Sequence, residues 1–185
     1  MIYLASTSAR RAELLTQIGI AFSLVDGTID EVKKDAESPE HYVRRLAREK
    51  AQCGFKNSNG KKPVLGADTV IVFKNKIFEK PKDRADAKKM LRLLSANTHQ
   101  VFTAISVVCG LTEKNELIKT EVTFKTLTDH EIDDYWLTKE PLGKAAGYAI
   151  QGIAGKFVTK INGSYSAVVG LPLYETEQLL KKFEE

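Results

Sequence analysis

The chain alternates strand-like and helix-like segments through its first half, and this pattern constrains the fold most. An apolar run at residues 1–5 predicts a buried strand, and Ser8 suits the N-cap of a helix that Gly19 ends. Weak alternation over residues 20–25 predicts a second strand, and Ser38-Pro39 marks the start of a second helix. A third strand is expected over residues 63–73, interrupted at 66–69.

The second half is richer in strands. Two β-branched runs, at residues 101–111 and 117–126, predict a hairpin around a polar turn at 112–116. Further strands are expected at 77–79 and 157–161, and helices after Asp83, after the capping box Thr128–Glu131 and over 173–183. Because helical crossovers and hairpins both occur, we expect an α/β fold with a long, mixed, twisted sheet flanked by helices.

Composition narrows the class of protein. The 185 residues are 43% hydrophobic and 28% charged, which excludes a disordered chain and predicts a single domain over 1–185. The net charge of +4 is spread among acidic residues, so no nucleic-acid partner is expected. Apolar runs are too short to span a membrane and no signal peptide is visible. With Cys53 and Cys109 interpreted as structural thiols, we expect a cytoplasmic protein.

The segment after the first predicted strand combines several features that bind phosphate. Ser6, Arg10 and Arg11 flank the expected start of a helix, where free N–H groups and a partial positive charge favour anions. Guanidinium groups add fork-shaped donors that suit phosphate oxygens. A solvated arginine pair beside an ordinary N-cap explains this segment equally well.

Asp68 is the most informative interior residue, since a carboxylate in an apolar strand needs a partner. It could hold a divalent cation or accept a proton from water, or it could be a bulge residue bonded to nearby backbone. The small pair Gly66-Ala67 permits close approach of a backbone or ligand. Lys50 falls on the inward face of its helix, although a snorkelling lysine is the alternative. Antiparallel pairing of the next strand brings Lys80 toward Asp68.

Other candidates are weaker when taken alone. Glu31 is a loop acid that is most simply solvated, and Lys144 is most simply a surface lysine. The amide of Gln151 carries a donor and an acceptor that match the N–H and carbonyl edge of uracil or thymine, or it caps loop backbone. The histidines show no metal-ligand spacing and are interpreted as structural; they are His41, His99 and His130.

Taken together, these segments resemble the Maf family of nucleoside triphosphate pyrophosphatases. The resemblance covers nearly the whole chain and is strongest to the branch that acts on dTTP and UTP, marked by Thr69 and Ile150-Gln151-Gly152. The matching stretches are Leu4–Leu15, Arg48–Ala51, Gly66–Thr69, Glu79–Pro81, Leu94-Ser95 with His99, Thr120–Phe124, Tyr148–Gly152 and Gly163–Pro172.

The resemblance implies that a nucleoside triphosphate is cut between its α- and β-phosphates. It places the proton acceptor on Asp68 and substrate specificity on Arg10, Thr69 and Gln151. Supporting charges fall on Arg11, Glu31, Lys50 and Lys80. It further implies two lobes around a central cleft, a homodimer, and a divalent cation (Mg²⁺ or Mn²⁺) for which we expect Asp68 and Glu31 as ligands, with Ser6 on the substrate side.

The chain departs from the family pattern at three places. Ala9 stands where proline is usual, Gly143 replaces a frequent aspartate, and Ala146-Gly147 reverses the usual order. The last two departures lie in the loop that carries Lys144, where we expect a local shape that differs from the family's. The alternative to an enzyme is a nucleotide-sensing regulator linked to cell division, which needs the cations but no base.

Overall fold

The structure, a computed structural model, describes residues 1–183. Its elements in chain order are β1 (Ile2–Ala5), α1 (Ala9–Gln17), β2 (Phe22–Leu24), α2 (Pro39–Asn57), β3 (Val64–Phe73), β4 (Lys76–Phe78), α3 (Arg84–Leu94), β5 (Thr98–Cys109), β6 (Thr112–Phe124), α4 (Asp129–Leu137), β7 (Val158–Asn162), α5 (Tyr165–Val169) and α6 (Leu173–Lys181). Short 3₁₀ helices form at Ala145–Gly147 and Ile153–Phe157.

The seven strands form one mixed sheet, as predicted. The strand order is β2-β1-β3-β5-β6-β7, with β4 also paired to β3. β1 pairs in parallel with β2 and β3, whereas the remaining pairs are antiparallel. The parallel part follows from the helical crossovers of the first half, and the antiparallel part from the hairpins of the second.

Two details of the predicted strands are wrong. Residues 112–116 are not a turn, because they pair with β5 up to Cys109↔Thr112, and the turn is Gly110-Leu111. Gly110 has φ +59°. A two-residue hairpin turn requires a positive φ of this kind, and glycine adopts it at little energetic cost. Polar residues extend as a strand here because this end of β6 has few buried positions. Likewise β3 continues through 66–69 without interruption.

Helix starts agree with the capping signals, with one exception. The side chains of Ser38, Asp83 and Thr128 each accept a hydrogen bond from a backbone N–H of their helix, and Thr128 with Glu131 forms the predicted capping box. Ser8 takes the N-cap position of α1, but its side chain makes no capping bond.

Apolar side chains cover both faces of the sheet. On one face, α2 packs against alternate residues of β3 and β5, including Val70, Val72 and Phe102. On the other face a larger cluster includes residues of α1, α3, α4 and α6 together with Leu65, Ala67 and Ile71. Since successive strand residues point to opposite faces, Asp68 lies on the α2 side and Thr69 on the other.

The sheet has a gap along one side of β3. β1 pairs with β3 only as far as Ala5↔Gly66, and β4 pairs with it only from Ile71 onward. Among the described strands, residues 67–70 therefore pair with β5 alone. This gap opens the edge of β3 beside Asp68 and Thr69. Separately, none of the helices within residues 1–183 combines the length and apolar character needed to cross a membrane.

Candidate active site

A cleft of about 950 Å³ lies beside the gap in the sheet. This size suits a ligand as large as a nucleotide. Its walls come from the chain after β1, from α2, β3 and the end of β4, and from residues of the second half, so two lobes face each other across it. All nine candidate site residues line it: Ser6, Arg10, Arg11, Glu31, Lys50, Asp68, Thr69, Lys80 and Gln151.

Lys50 connects two carboxylates at the floor of the cleft. Its Nζ lies 2.7 Å from Asp68 Oδ1 and 2.6 Å from Glu31 Oε1. The side chains of Lys50 and Asp68 are only 12% and 11% exposed. Burial raises the pKa of Asp68, although the charges of Lys50 and Arg11 oppose that effect. The snorkelling interpretation of Lys50 is therefore wrong, as is the assignment of Asp68 to a bulge.

Gly66 makes the contact between Lys50 and Asp68 possible. A Cβ at this glycine would lie 2.4 Å from the Ala47 carbonyl oxygen and 2.5 Å from the Ala51 nitrogen. The backbone of α2 therefore rests directly on β3, and Lys50 of α2 reaches the carboxylate two residues beyond the glycine. The predicted close approach at Gly66 is confirmed, with a helix as its partner.

Glu31 is held in place by two residues of α2, Tyr42 and Lys50. Tyr42 donates a hydrogen bond from its hydroxyl to the Glu31 carbonyl oxygen at 2.7 Å, and burial raises the pKa of Tyr42 to about 12. Partial burial alone would raise the pKa of Glu31, but the hydrogen bond and charge of Lys50 and the charge of Lys80 lower it overall. Glu31 is half-exposed but paired, so the interpretation as a simply solvated acid is wrong.

Arg11 is bonded to the protein on three sides. Its Nε donates to the Gly170 carbonyl at 2.9 Å, its Nη1 to Ser6 Oγ at 3.2 Å, and its Nη2 to Thr69 Oγ1 at 3.5 Å. Thr69 also shares a 3.0 Å hydrogen bond with Thr103. Burial lowers the pKa of Arg11, while the charge of Asp68 raises it. The solvated-pair interpretation is wrong for this residue.

Arg10, Lys80 and Gln151 line the cleft without being part of these two clusters. Partial burial lowers the pKa of Arg10. Lys80 and Gln151 are exposed, and Lys144 also lines the cleft. The candidate residues from the sequence therefore do line one cleft, whereas their contacts with a ligand stay predictions.

Sequence reasoning missed Glu140 and Tyr148, which also line the cleft. Glu140 accepts hydrogen bonds from the loop that carries Gln151, and Tyr148 OH lies 2.7 Å from Nε2 of the buried His99. The sequence signal for Tyr148 was a hydroxyl-bearing residue within a stretch of small and apolar residues. At Ala146 the reversed order is accommodated by a left-handed backbone with φ +51°.

Two acidic residues at the floor of the cleft could contribute to a divalent-cation site. No cluster of three or more His, Cys, Asp or Glu side chains suited to a metal occurs within residues 1–183. Mg²⁺ in nucleotide sites is commonly held by one or two carboxylates plus substrate phosphates. Asp68 and Glu31, which meet at Lys50 Nζ, fit that arrangement.

Comparison with known proteins gives a family match and close relatives. The family model described as "Maf-like protein" matches residues 1–183. A "dTTP/UTP pyrophosphatase" of Pseudoalteromonas atlantica is 53% identical, over 98% of this chain and 96% of the relative. One of Vibrio cholerae is 50% identical, over 98% and 97% respectively. Among solved structures, the Ham1 protein of Staphylococcus aureus shares the fold, with a TM-score of 0.52, 12% identity, and coverage of 100% of this chain and 99% of that one.

Proposed function

The chain belongs to the family of Maf-like proteins, and from this premise we propose that it hydrolyses dTTP and UTP to the nucleoside monophosphate and pyrophosphate. The relatives named for this reaction are about half identical over nearly their full length. The observation that carries the proposal is the buried Asp68 held by Lys50 at the floor of a nucleotide-sized cleft.

The first task of the site is to bind a ligand with about four negative charges. Arg10 and Lys80 present cationic groups to the cleft, and the start of α1 adds its partial positive charge. Arg11 is already bonded to Ser6, Thr69 and Gly170, so it orients this wall and contributes its charge without moving. These charges stabilise the negative charge that develops on the leaving pyrophosphate.

Asp68 acts as the general base. A water oxygen bonds to the α-phosphorus while the bond from that phosphorus to the α–β bridging oxygen breaks. Asp68 accepts the proton of the water, and the pyrophosphate leaves with the electron pair. Burial raises the pKa of Asp68, which makes it a better base than an exposed carboxylate, and the charge of Lys50 favours its ionised form. Thr69, next along β3, lies on the opposite face toward Arg11.

A divalent cation, Mg²⁺ or Mn²⁺, belongs to the proposal. When bound it would neutralise phosphate charge and polarise the phosphoryl oxygens, and Asp68 with Glu31 would hold it. Lys50 orients both of these carboxylates.

We assign base recognition to Gln151. Its amide can donate to the carbonyl oxygen and accept from the N–H of uracil or thymine, which adenine does not present in the same order. We further propose that residues 1–185 form a single domain, that the protein is a homodimer, and that it works in the cytoplasm.

The test is product identification with purified protein, dTTP or UTP, and Mg²⁺ or Mn²⁺. We expect nucleoside monophosphate and pyrophosphate in equal amounts. Asp68→Asn should lose about 10²- to 10⁴-fold in rate, as for other general bases. Asp133→Asn is the control, since Asp133 pairs with Lys88 and Arg84 outside the cleft. Tight binding without pyrophosphate release would instead support the nucleotide-sensing regulator.

A further inference from the structure

We propose that Glu140 is a positioning residue that holds the loop of Gln151 in the conformation that recognises a pyrimidine, an inference that rests on the proposed function. Glu140 follows α4 and lines the cleft on the side formed by the second half of the chain, which we call the second lobe. It belongs to none of the charged contacts around Asp68, so its carboxylate needs a separate explanation.

The carboxylate of Glu140 accepts three hydrogen bonds from its own lobe. Oε2 accepts from the Ile153 nitrogen at 2.8 Å, and Oε1 accepts from the Ala154 nitrogen at 3.1 Å and from Tyr135 OH at 2.8 Å. Ile153 and Ala154 begin a short 3₁₀ helix, so their N–H groups lack partners within it. Glu140 supplies those partners.

Gly152 shows how closely the carboxylate and the loop fit together. A Cβ at Gly152 would lie 2.3 Å from Glu140 Oε2, so the carboxylate occupies the space of a side chain. On the other side, the Gly152 nitrogen donates to the Ala149 carbonyl at 3.0 Å and closes a tight turn. Gln151 lies inside this turn and is exposed to the cleft. The backbone that aims Gln151 is therefore held from both ends.

Two side chains hold the Gln151 loop: Tyr135 is packed in the core, and Glu140 is charged. Tyr135 is 1% exposed, with its ring 5.2 Å from that of Phe157 in an edge-on contact. Partial burial opposes ionisation of Glu140, but hydrogen bonds from Ile153, Ala154 and Tyr135 lower its pKa overall. A glutamine at position 140 would keep the size but direct an NH₂ group at one of the donors. Such a change weakens the hold of position 140 on the loop without altering the Gln151 side chain itself.

The experiment measures binding of dTTP and dATP by calorimetry with Mg²⁺ in an Asp68→Asn parent, so that hydrolysis does not interfere. We expect Glu140→Gln to weaken dTTP binding about 10-fold, equivalent to about 1.4 kcal/mol, and to weaken dATP binding less. In a Gln151→Ala background the same change should cause no further loss of discrimination, because Glu140 acts through Gln151.

Glu131→Gln is the matched control. Glu131 also holds several bonds in this lobe, to Thr128 and Lys125, but none to the Gln151 loop. It should lower the melting temperature without changing the ratio of dTTP to dATP affinity. In hydrogen exchange, the amides of Ile153 and Ala154 should lose protection in Glu140→Gln and keep it in Glu131→Gln.

Three results overturn the inference: equal affinity of the parent for both nucleotides, unchanged discrimination in Glu140→Gln, or additive losses in the double variant. None of them depends on turnover. Absence of pyrophosphate release by the wild-type protein overturns the proposed function instead, so the two failures are distinguishable.

Discussion

Arg11 and Gly170 are 159 positions apart in the chain, yet Arg11 Nε donates a 2.9 Å hydrogen bond to the Gly170 carbonyl oxygen. The same guanidinium reaches Ser6 and Thr69, so one side chain joins the first helix, the central strand and the C-terminal segment. Arg11 therefore connects three segments of the cleft wall that faces the substrate phosphates in the proposed reaction.

Arg11→Lys should destabilise this wall. An ammonium group lacks the planar fork that serves three acceptors, and unpaired buried acceptors cost about 1–3 kcal/mol. We expect a loss of that size in the free energy of unfolding by urea, together with a lower kcat/KM for dTTP. Arg10→Lys is the comparison, since the structure gives it no such set of bonds among residues 1–183. Equal stability of the two variants would contradict this interpretation.

Gly66→Ala should separate α2 from β3. The added Cβ would meet the backbone of α2 at 2.4–2.5 Å, and the helix must shift to relieve the contact. Such overpacking typically costs about 1–3 kcal/mol. We expect loss of stability by that amount, measured by urea unfolding, and loss of turnover because Lys50 moves away from Asp68. A variant with wild-type unfolding and kinetics would show that the contact tolerates a methyl group.

Lys50→Met should shift the pH dependence of kcat/KM. Burial raises the pKa of Asp68 and the charge of Lys50 lowers it, so removing that charge raises the pKa further. The base works when deprotonated; the acidic limb of the profile should therefore move to higher pH in Lys50→Met. Lys50→Arg keeps the charge and should leave the limb near its wild-type position. A limb that stays fixed in both variants would exclude Asp68 as the group that titrates.

His99 should make stability depend on pH. It is 1% exposed, and burial lowers its pKa from 6.5 to about 4, so the unfolded chain binds a proton that the folded protein excludes. Stability is therefore fully present above pH 6.5 and falls as the pH drops toward 4, by up to about 3 kcal/mol. In His99→Gln, which can still bond to Tyr148, this slope should be absent from urea unfolding between pH 4.5 and 7. A wild-type slope in the variant would assign the effect to another group.

The linear pattern of residues determined the elements of this fold and the residue types of its cleft. The local signals are Asp68 within an apolar strand, Lys50 on the inner face of a helix, and the caps at Ser38 and Thr128. Burial follows the period of each helix or strand, and a capping residue marks where a helix begins. These local signals did not locate the turn at Gly110-Leu111, because the polar residues that follow it form a solvent-facing strand equally well.

Only the tertiary structure decided which residues meet. Lys50 joins Asp68 to Glu31 because the backbone of α2 rests on Gly66, and Arg11 reaches Gly170 because the C-terminal segment returns to the start of α1. Glu140 had no recognisable pattern, as its partners in the Gln151 loop are two backbone N–H groups more than ten residues away. Such contacts depend on how whole elements pack, and the period of a single helix or strand carries no information about its distant neighbours.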